Sequence, residues 1–244
     1  MKSPKSPEVK YRKQLDFLVK SLQQSVASEI IPLLVTLQPE YVNDAYAKTL
    51  EQAFERMRNS YVNIGRQAQI VSNAFVEESN QTNKRKFYSA IEEGIGVDLG
   101  SVIQGENLED ILVATTRENI SLIKSIPEEY FKNIESIVFT GTTQGRDSQS
   151  MIKAISKQGK TTTKRAKLIA RDQSSKLNSA LNQQRQQNLG VEEYIWRTAG
   201  DGRVRDNHAS KNGKIFRWDK PPADTGHPGQ DIQCRCVAQP IIKL

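Results

Sequence analysis

Residues 177–198 read LNSALNQQRQQNLGVEEYIWRT, and the fold turns on the glycine in their middle. Up to Leu189 the apolar positions Leu177, Leu181 and Leu189 recur at helical spacing in a Gln-rich frame. Gly190 is the residue type that ends a helix, because without a Cβ it adopts the left-handed cap conformation at little cost. Beyond it, Tyr194, Ile195 and Trp196 are strand formers. The chain is therefore expected to be helical before this point and to build a small module of strands and loops after it.

Upstream, the helical pattern is nearly continuous. Leu15, Leu18, Val19, Leu22, Val26, Ile30, Leu33 and Leu34 mark a helix over 8–37, which Pro32 should kink or break. Pro39 is placed to start a second helix whose stripe runs from Tyr41 through Ala45, Leu50, Phe54, Met57, Tyr61 and Ile64 towards Phe75, with Gly65 no clear stop. Residues 84–100 read as a linker with a short helix at 87–91, followed by Gly94, Gly96 and Gly100. A helix-rich stretch over 108–139 should restart at Glu128 behind Pro127, and 140–145 should form a turn. Two further helices are expected at 148–156 and 163–188, the second capped by Thr161–Thr163. Helices this long and amphipathic need partners, either each other or another subunit.

After Gly190, strand-forming runs at 191–198, 214–218 and 236–242 alternate with Gly- and Pro-rich loops. The expected architecture is mainly α, an extended helical N-terminal region with a small α+β C-terminal module. It divides into a flexible tail (1–7), a helical partner-docking region (8–150), a basic helical segment (151–190) and the module (191–244).

Composition agrees with this picture. With 36% hydrophobic and 7% aromatic residues among 244, the chain is lean for one compact core. It has no apolar run near the roughly 18 residues that cross a bilayer. The N-terminal MKSPKSP lacks the apolar core of a secretory signal. Synthesis and use in a cytoplasm, without a membrane partner, are expected. The net charge of +7 is unevenly spread: residues 151–220 hold 16 Lys/Arg and 6 Asp/Glu, an excess of +10 that leaves −3 elsewhere. Such concentration suits a polyanion, double-stranded DNA above all, with Lys160, Lys164, Arg165, Lys167 and Arg171 as candidate contacts. A solvated helix face explains the same charges without a ligand.

Both histidines and both cysteines of the chain, His208, His227, Cys234 and Cys236, fall within 29 positions of the module. Two His and two Cys suffice for a closed tetrahedral zinc site, and these four are the candidate structural metal ligands. The Cys-x-Cys spacing is less usual than Cys-x2-Cys, although strand alternation would keep both thiols on one face. A disulfide between them would close a very small, strained ring. The competing reading is a pair of buried or redox-sensitive thiols with histidines bonded to loop backbone. On paper, Cys234 or Cys236 with His208 or His227 and Asp201 or Asp231 makes a nucleophilic triad. Asp201, Asp206, His208 and Asp231 likewise make a metal-nuclease set. Neither has a supporting local pattern such as a nucleophile elbow or a helix start behind a cysteine, and residues 140–145 lack the Lys-Ser/Thr of a phosphate loop. The chain is read as a non-enzyme. Arg197, Arg203, Arg205 and Arg235 can bind phosphate or pair inside the module with Asp201, Asp206 and Asp231; pairing is favoured because forked Arg–carboxylate bonds fix loops in a small core.

From Trp196 to Pro240 the module resembles the Mu F-like phage head-morphogenesis family. The resemblance rests on Trp196, Arg197-Thr198, Asp201, Arg203-Val204-Arg205, His208, Gly213, Pro221-Pro222, Gly226-His227-Pro228-Gly229-Gln230-Asp231 and Cys234-Arg235-Cys236. The basic helix leading into Gly190-Val191 is similar to the family's usual lead-in. Lys211-Asn212 departs from it, where related sequences often place an apolar residue before the glycine. The resemblance implies a minor head protein in few copies, associated with phage portal and capsid proteins in the virion head, needed for head assembly and in some members for handling or delivering DNA.

Overall fold

The computed structural model describes residues 5–36, 44–96 and 106–242. The elements follow the order α1 (Lys5–Glu29), α2 (Ile31–Val35), α3 (Asp44–Ser60), α4 (Ile64–Ile95), α5 (Glu109–Thr143), α6 (Ser148–Asn188), β1 (Glu193–Arg197), α7 (Asp206–Ala209), β2 (Ile215–Arg217) and β3 (Val237–Pro240). The class is mainly α with a C-terminal α+β module, as expected. Contacts divide the chain into two compact units. One comprises Arg12–Val71 and Asn119–Ile169; the other comprises Met1–Tyr11, Ser72–Glu118 and Ala170–Leu244.

The first unit is held by apolar stripes. Leu15, Leu18, Val19, Leu22 and Val26 of α1, Leu50, Phe54 and Met57 of α3, and Ile123, Ile126, Tyr130, Phe131, Ile134 and Val138 of α5 are all buried. Phe54 packs on Phe139 with ring centroids 5.9 Å apart, and Tyr61 meets Phe131 edge-on at 5.4 Å. The first helix breaks before Pro32, which sits in the first turn of α2, where its missing N–H costs nothing.

Several boundaries differ from the sequence expectation, each for a local reason. Lys5–Pro7 of the expected tail are already helical, while residues 1–4 lie outside the described residues. The start at Pro39 also lies outside them. The second helical stretch stops at Ser60 and restarts at Ile64, because Tyr61 anchors a turn, its hydroxyl 3.0 Å from Ser21 Oγ. Residues 84–95 are no linker: α4 runs through them to Ile95, burying Phe87 and Ile91, and Gly96 follows at φ 71°. Pro127 does not begin a helix but sits buried inside α5. Its cost of about 3 kcal/mol is outweighed by the burial of Ile123, Ile126, Tyr130 and Phe131 around it. The expected turn at 140–145 shrinks to its end, because Gly141 stays helical and leaves room for the Met151 side chain. The two helices expected at 148–156 and 163–188 are one 41-residue helix, α6. Thr161, Thr162 and Thr163 do not cap it; their hydroxyls donate back to the carbonyls of Lys157, Gln158 and Gly159 at 3.0–3.2 Å.

Helix α6 ends where the sequence places its stop. Gly190 has φ 72°, and the N–H of Val191 donates to the Gln186 carbonyl at 3.0 Å. The chain then enters a three-stranded antiparallel sheet in the order β2-β1-β3. Tyr194 pairs with Phe216 and Trp196 with Ala238, which places the two large aromatics of β1 on the buried face.

Candidate functional site

The module's core is small: Tyr194, Trp196, Trp218, Cys234, Cys236 and Ala238, with Phe216 against it. Alternation along β3 and the segment before it sends Cys234, Cys236 and Ala238 to the same side. His208, on the short helix α7, is also buried, and Trp196 meets its ring edge-on at 5.5 Å.

Three of the four expected metal ligands converge. His208 Nδ1 lies 3.5 Å from Cys234 Sγ and 3.5 Å from Cys236 Sγ. Among the described residues these three are the group of His, Cys, Asp and Glu able to share an ion, their ligand atoms all within 4.8 Å. His208 Nε2 is bound to Asp231 Oδ2 at 2.8 Å. Cys234 Sγ accepts the backbone N–H of Gly229 at 3.3 Å and of Cys236 at 3.4 Å. The hydrogen bond from the Cys236 thiol, joined by these amides and by His208, pulls the Cys234 thiol down to about 5 against its burial. The same bond, together with burial, pushes the Cys236 thiol up. Both cysteines are free thiols.

His227, the fourth of the expected set, takes another place. Its Nδ1 is 2.9 Å from Tyr194 Oη, its ring packs on Trp218 at 4.8 Å, and it hydrogen-bonds the Trp218 backbone. Burial lowers its pKa, so the neutral ring serves as an acceptor for the phenol. It works as core, not beside the thiols.

The loop that presents the cysteines is fixed from several sides. Gln233 holds a left-handed φ of 59°, and its N–H donates to the buried Asp172 of α6 at 2.7 Å. Ser179 Oγ donates to the Pro228 carbonyl. Gly229, at φ 90°, passes so close to Ser179 that a Cβ there would collide with it. Gly213, at φ 80°, turns the chain into β2, its N–H donating to the Trp196 carbonyl at 2.8 Å.

The arginines pair internally. Arg235 forks onto Asp201 with two bonds of 2.6 Å, Arg203 adds one of 3.1 Å, and the Asp201 carboxyl is held well below its usual range, chiefly by Arg235. Arg205 donates to the Ile232 carbonyl at 2.6 Å and lies 3.6 Å from Asp231. Arg197 donates to Gln239 Oε1 at 2.7 Å. Asp206 instead opens helix α7. Beside the cysteines is a cavity of about 210 Å³, lined by His208, Cys234, Cys236, Arg171, Arg203, Arg205 and Arg235 among others.

Of the candidate DNA contacts, Lys160, Lys164 and Lys167 are exposed on α6, whereas Arg165 is turned onto Glu129 at 2.8 Å and Arg171 lines the cavity. Lys153 and Lys157, which the sequence reading did not single out, extend the exposed row. The five lysines are spaced four, three, four and three residues apart, so they share one helix face over about 21 Å. Residues 148–171 carry no acid.

Sequence reasoning also missed Arg185. Its buried guanidinium forks onto Glu106 at 2.9 and 2.8 Å and donates to Asn80 and Asn83, in a network that includes Asn178 and Asn182. Burial raises the Glu106 carboxyl, but Arg185 and Tyr88 more than reverse this and leave it lowered. The Gln-rich surroundings of Arg185 gave no signal of such a partner.

Residues 132–239 match the family model described as Phage Mu protein F like protein. An uncharacterized protein of Haemophilus influenzae is 36% identical over 252 residues, covering 99% of this chain and 55% of the relative. The chain thus spans about half the length of that relative. No solved structure matches. The sheet up to Gln239, the His208–Cys234–Cys236 group and the internally paired arginines all lie inside the stretch that is similar to the Phage Mu protein F like family.

Proposed function

We propose that this chain is a minor head protein of a tailed phage, acting in head morphogenesis and docked on portal and capsid subunits in the virion. The observation that carries this reading is the match of residues 132–239 to the Phage Mu protein F like family. The helices also offer apolar surface of the kind an assembly partner covers. In the unit formed by Arg12–Val71 and Asn119–Ile169, Phe17 and Ile70 are 75% and 61% exposed and line an open groove of about 670 Å³. The reading involves no catalytic step. Among the described residues no helix is long and apolar enough to cross a membrane, which is compatible with a place in the particle. Phage made without the chain should give fewer complete heads and fewer infectious particles; unchanged head yield and infectivity would refute the role.

A second reading, contact with double-stranded DNA, is favoured by the lysine row. Lys153, Lys157, Lys160, Lys164 and Lys167 join no ion pair among the described residues. If all five meet phosphates, log affinity should fall against log salt with a slope of about −4.5. Replacing all five with glutamine should abolish both the retention of duplex DNA and its salt slope. Absence of retention by the unaltered chain at low salt would dismiss this reading.

A further inference from the structure

We infer that His208 Nδ1, Cys234 Sγ and Cys236 Sγ hold a zinc ion whose fourth position faces the arginine-walled cavity, and that His227 is not a ligand. The distances fit a coordination shell. Zinc bonds of about 2.3 Å to sulfur and 2.0–2.1 Å to nitrogen at tetrahedral angles put ligand nitrogen and sulfur roughly 3.5–3.6 Å apart. His208 Nδ1 stands 3.5 Å from each sulfur. A nitrogen equidistant from two thiols matches the corner of a coordination polyhedron, whereas a base serving one nucleophile would sit closer to that sulfur.

The His208 ring is also oriented for coordination. Asp231 Oδ2 accepts the Nε2–H of His208 at 2.8 Å, so the Nδ1 lone pair is the one aimed at the sulfurs. A carboxylate behind a histidine is the usual support of a metal-bound imidazole, fixing its tautomer and raising its basicity. The Cys234 sulfur is surrounded by donors as well. Two backbone N–H groups, from Gly229 and Cys236, point at Cys234 Sγ. Such donors suit a thiolate, the form that binds metal. The bend that aims them is built in, through Gly229 and the left-handed Gln233 tied to Asp172.

Nothing else among the described histidines, cysteines and carboxylates completes the shell. His227 already has its Nδ1 engaged by Tyr194 and its ring against Trp218. The remaining position therefore opens towards the cavity, where water or another oxygen ligand fits. Sulfur-rich ligation by two thiolates and one imidazole selects zinc over the oxygen-seeking calcium and magnesium.

The test uses the purified full chain. Elemental analysis after zinc loading and gel filtration should find one zinc per chain. Cobalt in its place should give thiolate-to-metal charge transfer and the visible bands of a tetrahedral site. Asp231→Asn, at a half-exposed position, should weaken zinc affinity by about 10–100-fold without abolishing it. His227→Gln should leave affinity and spectrum unchanged, while His208→Ala, Cys234→Ser and Cys236→Ser should remove the cobalt–thiolate bands. Absence of zinc and of cobalt–thiolate bands in the unaltered chain overturns the inference, as does a loss of binding on His227→Gln equal to that on His208→Ala. Should the ligand variants fail to fold, the unaltered chain and Asp231→Asn still decide it. The outcome is independent of whether the chain assembles into heads.

Discussion

The two compact units are held together differently. Of the 16 buried polar or charged residues among those described, 14 lie in the unit made of Met1–Tyr11, Ser72–Glu118 and Ala170–Leu244; the other unit holds two, Asn119 and Thr162. One unit is a conventional helical packing in which stripes of Leu, Ile and Phe meet. The other adds directed bonds to its apolar core: Arg185 to Glu106, Asp172 to Gln233, Asp231 to His208, and Asp201 to Arg235. Area burial tolerates imprecise geometry, whereas paired polar groups enforce it. The chemistry-bearing residues sit where the geometry is enforced.

This contrast can be broken most forcefully at Arg185. Arg185→Met should destabilise its unit by about 3–5 kcal/mol, because Glu106 is left without its buried counter-charge. Adding Glu106→Leu should recover much of the loss in urea unfolding, since an apolar replacement of the whole pair leaves no orphan charge. In the apolar unit, Phe54→Ala should cost a similar 3–5 kcal/mol, through cavity and lost burial. There no second substitution of a polar partner should restore it.

Smaller effects sharpen the picture in the module. Gly229→Ala should cost at least about 1–2 kcal/mol, because φ 90° is disfavoured for any Cβ and Ser179 blocks the space. A lowered melting temperature with loss of the near-ultraviolet signal of Trp196 and Trp218 would register it. His227 gives a pH dependence of defined sign. Its pKa is lowered in the folded chain from 6.5, mainly by burial, so the unfolded chain takes up the proton first. The stability it contributes is present above about 6.5 and is lost as pH falls below that value. His227→Gln should flatten that part of the stability-versus-pH curve. Thr161→Ala, the smallest change, should shift stability by no more than about 0.5 kcal/mol, since its hydroxyl only folds back onto its own helix.

The same contrast explains how much was legible in the sequence. Apolar periodicity marked the helical class, and the change at Gly190 with its β-formers located all three strands. Helix boundaries were less legible, because Pro127 and the Thr161–Thr163 run obey local preferences that tertiary packing overrides. For the site, clustering of His and Cys in sequence pointed to His208, Cys234 and Cys236. Only the folded chain separates His227 from them, since its partner Tyr194 lies 33 positions away on the central strand. Arg185 and Asp172 were illegible for the same reason: a buried charge declares itself by a distant partner, and spacing along one helix says nothing of it.

The proposed role in the phage head is tested most directly by counting the chain in purified heads with quantitative mass spectrometry. A few copies per head are expected, retained in proportion to the portal protein. Absence of the chain from purified heads, or copy numbers matching the major capsid protein, would contradict it.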